Sequence, residues 1–504
     1  MIQSQVNNFV KLAVRRSPLA PALRKLFRRT PLTPALERGR KAGWEEGARW
    51  LLSFEARDTL ANPDLHRQLR RSINVDIDTE LLLTALRRRL LFTDPDKLKD
   101  SYVQEALASL IWQAINNEYV WFVSPVEQER VADLKQTLHQ AHADEPVDWT
   151  IAALTILYLR PNVLCGPGKN MATLLASIEA MPAWLESMLR SYLSDYEEEQ
   201  IIRRSIRRLG SIEDGTSKLI AKNYEEYPYP RWLYLDNPKP APRRARMSQF
   251  FNEAELAFLD DAPAVLVAGC GTGSKAIEYA LSYGKDARIV AIDLSTASLA
   301  YAIRMARKYH VTNIEFIQMD LLDLDQLNET FDVVECTGVL HHLQDPTEGG
   351  RAIASRVRPG GIVHISLYSE LARRQIVKFR KEYNLNPNVT NDEIRSYRHH
   401  MMLKDPKAID ERLSLRWDFF DLNRCKDLLF HPLEHRFTIP QIGEMLSELN
   451  LEFRGLEKPG ILSSQYWTRY PDPEHWGSLI SWHKFELKHP DAFGSLYEVW
   501  SKKL

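Results

Sequence analysis

From residue 261 onward the chain alternates short apolar strands with amphipathic helices, and this rhythm restricts the fold more than any other feature. Val265 to Ala268, Arg288 to Ile292, Ile314 to Gln318, Phe331 to Glu335 and Ile362 to Leu367 read as strands. Ser274 to Tyr283, Thr296 to Tyr309 and about Gly349 to Val357 read as helices between them. Strands joined by helical crossovers run parallel, and their faces are covered by those helices. The expected class is α/β with a doubly wound sheet. Leu451 to Leu456 and Trp482 to Leu487 are the candidate last strands, and Thr438-Ile439-Pro440-Gln441 predicts a capping box opening a helix to about Glu448.

Upstream the pattern changes. Residues 43–222 read as an all-helical domain: Leu81, Leu82, Leu83, Leu86, Leu90 and Leu91 recur near a 3.6 period, as do Ala106, Leu110, Ile111 and Ile115. Between 223 and 250, Pro228, Pro230, Pro238, Pro240 and Pro242 forbid a continuous helix. This stretch reads as a linker. Its aromatic run, Tyr224-Glu225-Glu226-Tyr227-Pro228-Tyr229-Pro230-Arg231-Trp232, predicts packing against the domain that follows. The expected division is a basic arm at 1–42, helices at 43–222, the linker at 223–250, and an α/β domain at 251–504 carrying a helical insert at 370–437.

Charge and cysteine usage narrow the function classes. The 66 basic and 67 acidic side chains nearly cancel, so the global charge gives no reason to expect a nucleic-acid or acidic partner. The charge is uneven, however. Lys11, Arg15, Arg16, Arg24, Lys25, Arg28, Arg29, Arg38 and Arg40 face the single acid Glu37 in the first forty residues. Such an arm can touch nucleic acid or an anionic membrane, or lie solvated on its neighbour. Cys165, Cys270, Cys336 and Cys425 are scattered with no CxxC pair, which speaks against a disulfide framework and fits a reducing cytoplasmic setting. No apolar run reaches the ~20 residues of a bilayer span, so no transmembrane segment is expected.

Gly269-Cys270-Gly271-Thr272-Gly273 follows the first strand directly. Glycines there let backbone N–H groups approach a ligand at the positive end of the next helix. Asp293 ends the second strand, where a carboxylate can accept two ribose hydroxyls. Asp320 ends the third, where an acceptor can take an adenine amine. Glu335-Cys336-Thr337-Gly338-Val339-Leu340-His341-His342-Leu343 follows the fourth.

Together these residues resemble class I S-adenosylmethionine-dependent methyltransferases over about 261–370. The 224–232 run, Ser369-Glu370-Leu371-Ala372-Arg373-Arg374, and the 424–438 stretch resemble a narrower bacterial group, many members of which carry tetratricopeptide repeats. No 34-residue repeat occurs upstream here. The resemblance implies a Rossmann-like seven-stranded sheet and S-adenosylmethionine as cofactor. It implies that Gly269, Cys270, Gly271, Thr272 and Gly273 cradle the donor, that Asp293 and Leu294 flank its ribose, that Asp320 and Leu321 flank its adenine, and that Glu335 faces it. Val267 stands where the family often has an acid.

Methyl transfer from a sulfonium is an in-line displacement, so alignment and a dry site dominate. His341 and His342 are candidate bases and Tyr368 a candidate orienting group. The alternative for each is packing at a helix start or a sheet rim. His399-His400 and His431 with His435 lack an evident third ligand, so no metal is expected. Glu335-Cys336-Thr337-Gly338 is not the Asn/Asp-Pro-Pro-aromatic signature of base-amine methylation; other RNA methylation stays open, and the expected acceptor is an oxygen, nitrogen or carbon of a small molecule or a protein. Two alternatives stand beside this reading: a catalytically silent cofactor-binding or interaction module, and an NAD-dependent oxidoreductase, since Gly271, Gly273 and Ala276 also satisfy GxGxxA.

Overall fold

A computed structural model describes residues 31–504 except 166–169, 213–214, 227, 407–408, 410–416, 458–465 and 467. The basic residues Lys11 to Arg29 and the aromatic Tyr227 of the sequence reading lie outside the described residues. The chain forms two compact units: one of residues up to Ser194 with Asn386–Phe430, the other of Asp195–Leu385 with His431–Leu504.

The first unit is built of helices whose starts are written in the sequence. Asp76 accepts from the Thr79 amide ahead of Ile77–Leu91, and Ser124 and Glu127 form a capping box ahead of Pro125–Gln140. The Leu81, Leu82, Leu83, Leu86, Leu90 and Leu91 face is buried. Residues 386–430, most of the stretch read as an insert, pack in this unit. Arg398 donates two hydrogen bonds to Glu80, at 2.9 and 3.0 Å, with both side chains fully buried. Removing one partner of such a pair costs about 3–5 kcal/mol. The expectation of an all-helical domain is corrected by one detail: Val147–Asp148 and Ile178–Glu179 form a small parallel pair of strands. Arg40, at the end of the helix Thr33–Ala42, pairs with Asp78 at 2.6 Å.

The second unit holds the sheet. Its strands are β1 (Ala264–Ala268), β2 (Arg288–Asp293), β3 (Ile314–Gln318), β4 (Phe331–Thr337), β5 (Val357–Tyr368), β6 (Leu451–Leu456) and β7 (Leu496–Lys503). The spatial order is β3-β2-β1-β4-β5-β7-β6, with Arg207–Arg208 adding a two-residue edge strand beside β3. Among the described residues this sheet therefore has seven full strands and a short eighth. The β1 to β5 pairings are parallel, while β7 lies antiparallel between β5 and β6.

Helices α1 (Ser274–Tyr283), α2 (Thr296–Lys308), α3 (Pro346–Ser355), α4 (Glu370–Glu382), α5 (Ile439–Glu448) and α6 (Leu479–Lys488) accompany the strands. Strand pleating sorts the apolar residues. Val265 and Val267 join Ile289, Ala291, Ile277 and Leu299 in one core, and Leu266 and Ala268 join Val290, Ile292, Ile353 and Ile442 in the other. Both faces are buried, which is why these strands read as continuous apolar runs.

One expected strand is a helix. Trp482 to Leu487 lies in α6, where Ser478 accepts from the Ser481 amide at the start. Trp482, Phe485 and Glu486 are buried, while Ile480 and Leu487 are exposed. Burial at spacings of three and four is a helical stripe, and the last strand is β7 instead. Among the described residues, no helix is long and apolar enough to cross a membrane.

Candidate active site

The carboxyl ends of parallel strands are where ligands bind in such sheets, and the turn after β1 is shaped for close approach there. Gly269, Gly271 and Gly273 all have positive φ, at 72°, 53° and 81°. Gly273 starts α1 in the left-handed region, and a Cβ there would come within 2.5 Å of the Ala302 side chain. A side chain at Gly271 would meet the Tyr229 carbonyl at 2.7 Å. Both positions need glycine for conformation and for space.

Asp293 ties this turn to β2. Its Oδ2 accepts from the Gly271 amide at 2.7 Å, and its Oδ1 from the Ser295 amide at 2.9 Å. The side chain is only half-buried, yet the surrounding protein pushes its carboxyl up to about 6, against the two amides that pull it down. Asp320 is buried, and its Oδ1 accepts from the Leu322 amide at 3.0 Å, capping the turn Leu321–Gln326. Leu294 stays half-exposed beside Asp293, whereas the Leu321 side chain is turned into the core. Cys270 is buried, and burial drives its thiol well above the ordinary range.

Glu335 belongs elsewhere. Its Oε1 accepts from Arg243, at 2.7 Å to Nη2, and from the Tyr283 hydroxyl at 2.9 Å; its Oε2 lies 2.6 Å from His364 Nδ1. His364 Nε2 lies 3.0 Å from Glu498 Oε2. Arg243 and His364 hold the Glu335 carboxyl down at about 2 despite its burial, and the Glu335 and Glu498 carboxylates lift His364 to about 9. With its carboxylate so engaged, Glu335 is the hub of a buried ion-pair network. Sequence spacing could not show this, because Arg243 and His364 are distant in the chain.

The loop after β4 meets the end of β5. His341 stacks on Tyr368, with ring centroids 3.8 Å apart, and the Arg373 guanidinium lies 3.7 Å from the Tyr368 centroid. His341 is buried, and neither of its ring nitrogens is hydrogen-bonded; the nearby Ser366 backbone exerts only a small upward pull. Burial first, then His342, Arg373 and His431, hold its pKa well below the usual imidazole value, so it is neutral at pH 7. His342 instead has its Nδ1 2.9 Å from the Leu433 carbonyl, which fits a packing role. Arg373 forks onto Glu434 at 2.8 and 2.6 Å, a pair not singled out from the sequence. The Val339 side chain packs directly over Gly269, joining this loop to the glycine turn.

Among the other histidines, His399 stacks on Phe122 in the helical unit, with centroids 4.5 Å apart, and His431 packs on His342 at 3.8 Å.

A family model described as a methyltransferase domain matches residues 259–412. This stretch is similar to methyltransferase domains. Methyltransferase domains of this kind use S-adenosylmethionine, and the glycine turn with Asp293 and Asp320 fits that cofactor.

The chain is 35% identical over 173 residues to an uncharacterized protein of Synechococcus, covering 33% of this chain and 40% of that one. It is 27% identical over 177 residues to a ubiquinone biosynthesis O-methyltransferase of Albidiferax ferrireducens, covering 34% and 66%. It is 33% identical over 132 residues to the enzyme of the same name from Pseudomonas syringae pv. tomato, covering 25% and 55%. The chain thus spans less than two thirds of the length of each of these curated relatives. PKMT2 from Rickettsia typhi in complex with AdoHcy has a TM-score of 0.41 at 15% identity, with 55% of each chain covered.

Proposed function

We propose that the chain is an S-adenosylmethionine-dependent methyltransferase acting on a small-molecule or protein acceptor. The observation that carries this reading is the Asp293 carboxylate locked onto the Gly271 amide at the carboxyl end of the sheet, within the methyltransferase domain. When bound, the donor supplies an activated methyl group and leaves as S-adenosylhomocysteine.

The chain's own residues do the rest. The Gly269–Gly273 turn lets the main chain approach the donor closely, Asp293 holds its geometry through the Gly271 amide and accepts from ribose hydroxyls, and Asp320 accepts from the adenine amine. Neutral His341 takes the proton of an acidic acceptor group, while Tyr368 fixes the imidazole face. The ubiquinone biosynthesis relatives carry O-methyltransferase in their names, which supports an oxygen acceptor among the options. The ranges 43–222, 223–250 and 251–504 remain our division of the sequence by function, with the helices serving acceptor or partner recognition.

Calorimetry with S-adenosylhomocysteine, followed by labelled-methyl transfer into cell extract, tests the reading. Binding and a labelled protein or small molecule are expected. No binding overturns the donor assignment, and binding without any labelled product favours a silent module.

A further inference from the structure

We propose that residues 228–235 form a strap sealing the glycine turn, and that Thr272 and Trp232 are the positioning residues that hold it there. This rests on the donor reading above. Thr272 is fully buried and meets the strap in both directions. Its hydroxyl donates to the Pro230 carbonyl, and its own carbonyl accepts from Trp232 Nε1 at 3.1 Å.

The strap is fastened further along as well. The Tyr301 hydroxyl donates to the Trp232 carbonyl, and the Leu235 amide donates to the Tyr309 hydroxyl at 2.9 Å. The Trp232 ring lies 6.1 Å from Tyr301 and 6.0 Å from Tyr309, centroid to centroid, so α2 and the turn after it hold the ring in place. Arg231 lies 5.9 Å from the Tyr301 ring centre.

The consequence lies at the donor loop. The strap backbone approaches so closely that the Tyr229 carbonyl would touch a Cβ at Gly271. The same glycine amide is gripped by Asp293. The turn is thus clamped between a carboxylate of the sheet and carbonyls of the strap. Position 267, where an acid could face the donor's ammonium, is a valine packed in the core. The Tyr229 carbonyl, set against Gly271, brings a negative dipole end to this loop instead. Thr272 therefore acts on the donor through the strap, and entry and release at this loop require the Thr272 contacts to open.

Three variants test this: Thr272→Val removes the hydroxyl at nearly constant shape, Thr272→Ser restores it, and Trp232→Phe removes only the indole N–H. The readouts are the Kd and dissociation rate of S-adenosylhomocysteine, and trypsin cleavage after Arg231 with and without that ligand. Thr272→Val and Trp232→Phe are expected to weaken binding by about tenfold, mainly through faster dissociation. They should also lose ligand protection of Arg231, with Thr272→Ser near wild type. Wild-type Kd and dissociation rate in Trp232→Phe, with or without a folded Thr272→Val, overturn the strap. Failure of the wild-type chain to bind S-adenosylhomocysteine overturns the donor reading itself and is seen before any variant is made.

Discussion

Asp293 shows how a single carboxylate sets both geometry and pH response. It is pushed up to about 6, so it is charged above that value and neutral below it. Donor affinity is therefore expected to fall as the pH drops through about 6, read by calorimetry with S-adenosylhomocysteine. Asp293→Asn should bind ten- to a hundredfold more weakly at pH 7.5, as expected for losing charged hydrogen bonds, and should lose the acid dependence. At His341 the pKa shift is opposite, downward, yet the loss again falls on the acid side. Its neutral form is the base and its pKa is held low, so turnover should be level from about pH 6.5 upward and fall only on the acid side. His341→Asn should lower kcat by about 10²–10⁴ with the donor Kd unchanged. Unchanged turnover would mean an acceptor that needs no base.

At the scale of elements, local sequence rules account for most starts and stops. The capping box at Thr438 and Gln441 was legible because both hydrogen-bonding partners lie within one turn. Thr438→Ala should destabilise the domain by about 1 kcal/mol, seen as a lower denaturant midpoint at constant slope. Trp482 to Leu487 reads as a strand in the sequence because short apolar runs fit either period. The Ser478 cap of α6 and its one-sided burial become decisive only when a core exists to bury against.

Across the sheet, the Glu335 hub joins β4, β5 and β7 to the short helix Arg243–Met247, and its pH dependence is a property of the folded domain. Glu335 is depressed to about 2 from an ordinary 4.5, so its contribution is full above 4.5 and is lost as pH falls toward 2. His364 is raised to about 9 from an ordinary 6.5, so its contribution is full below 6.5 and is lost as pH rises through 9. Both are full between about 4.5 and 6.5. Thermal denaturation should therefore show Tm falling from pH 6.5 to 9.5. His364→Gln should lower Tm at pH 6 and flatten that decline; an unchanged slope would place the titration elsewhere.

The sequence alone determined the alternation of strands and helices, the glycine turn, and the two aspartates at strand ends, because periodicity, backbone freedom and strand polarity act over a few residues. It also marked the 224–232 run as too aromatic to be a bare tether. Only the tertiary structure decided what each side chain meets. It brought Arg243 and His364 to Glu335, separated neutral His341 from hydrogen-bonded His342, and placed Pro230 and Trp232 against Thr272. Those contacts join residues about 30 to 120 positions apart, and neither spacing nor composition encodes which of many compatible partners a buried polar group will find.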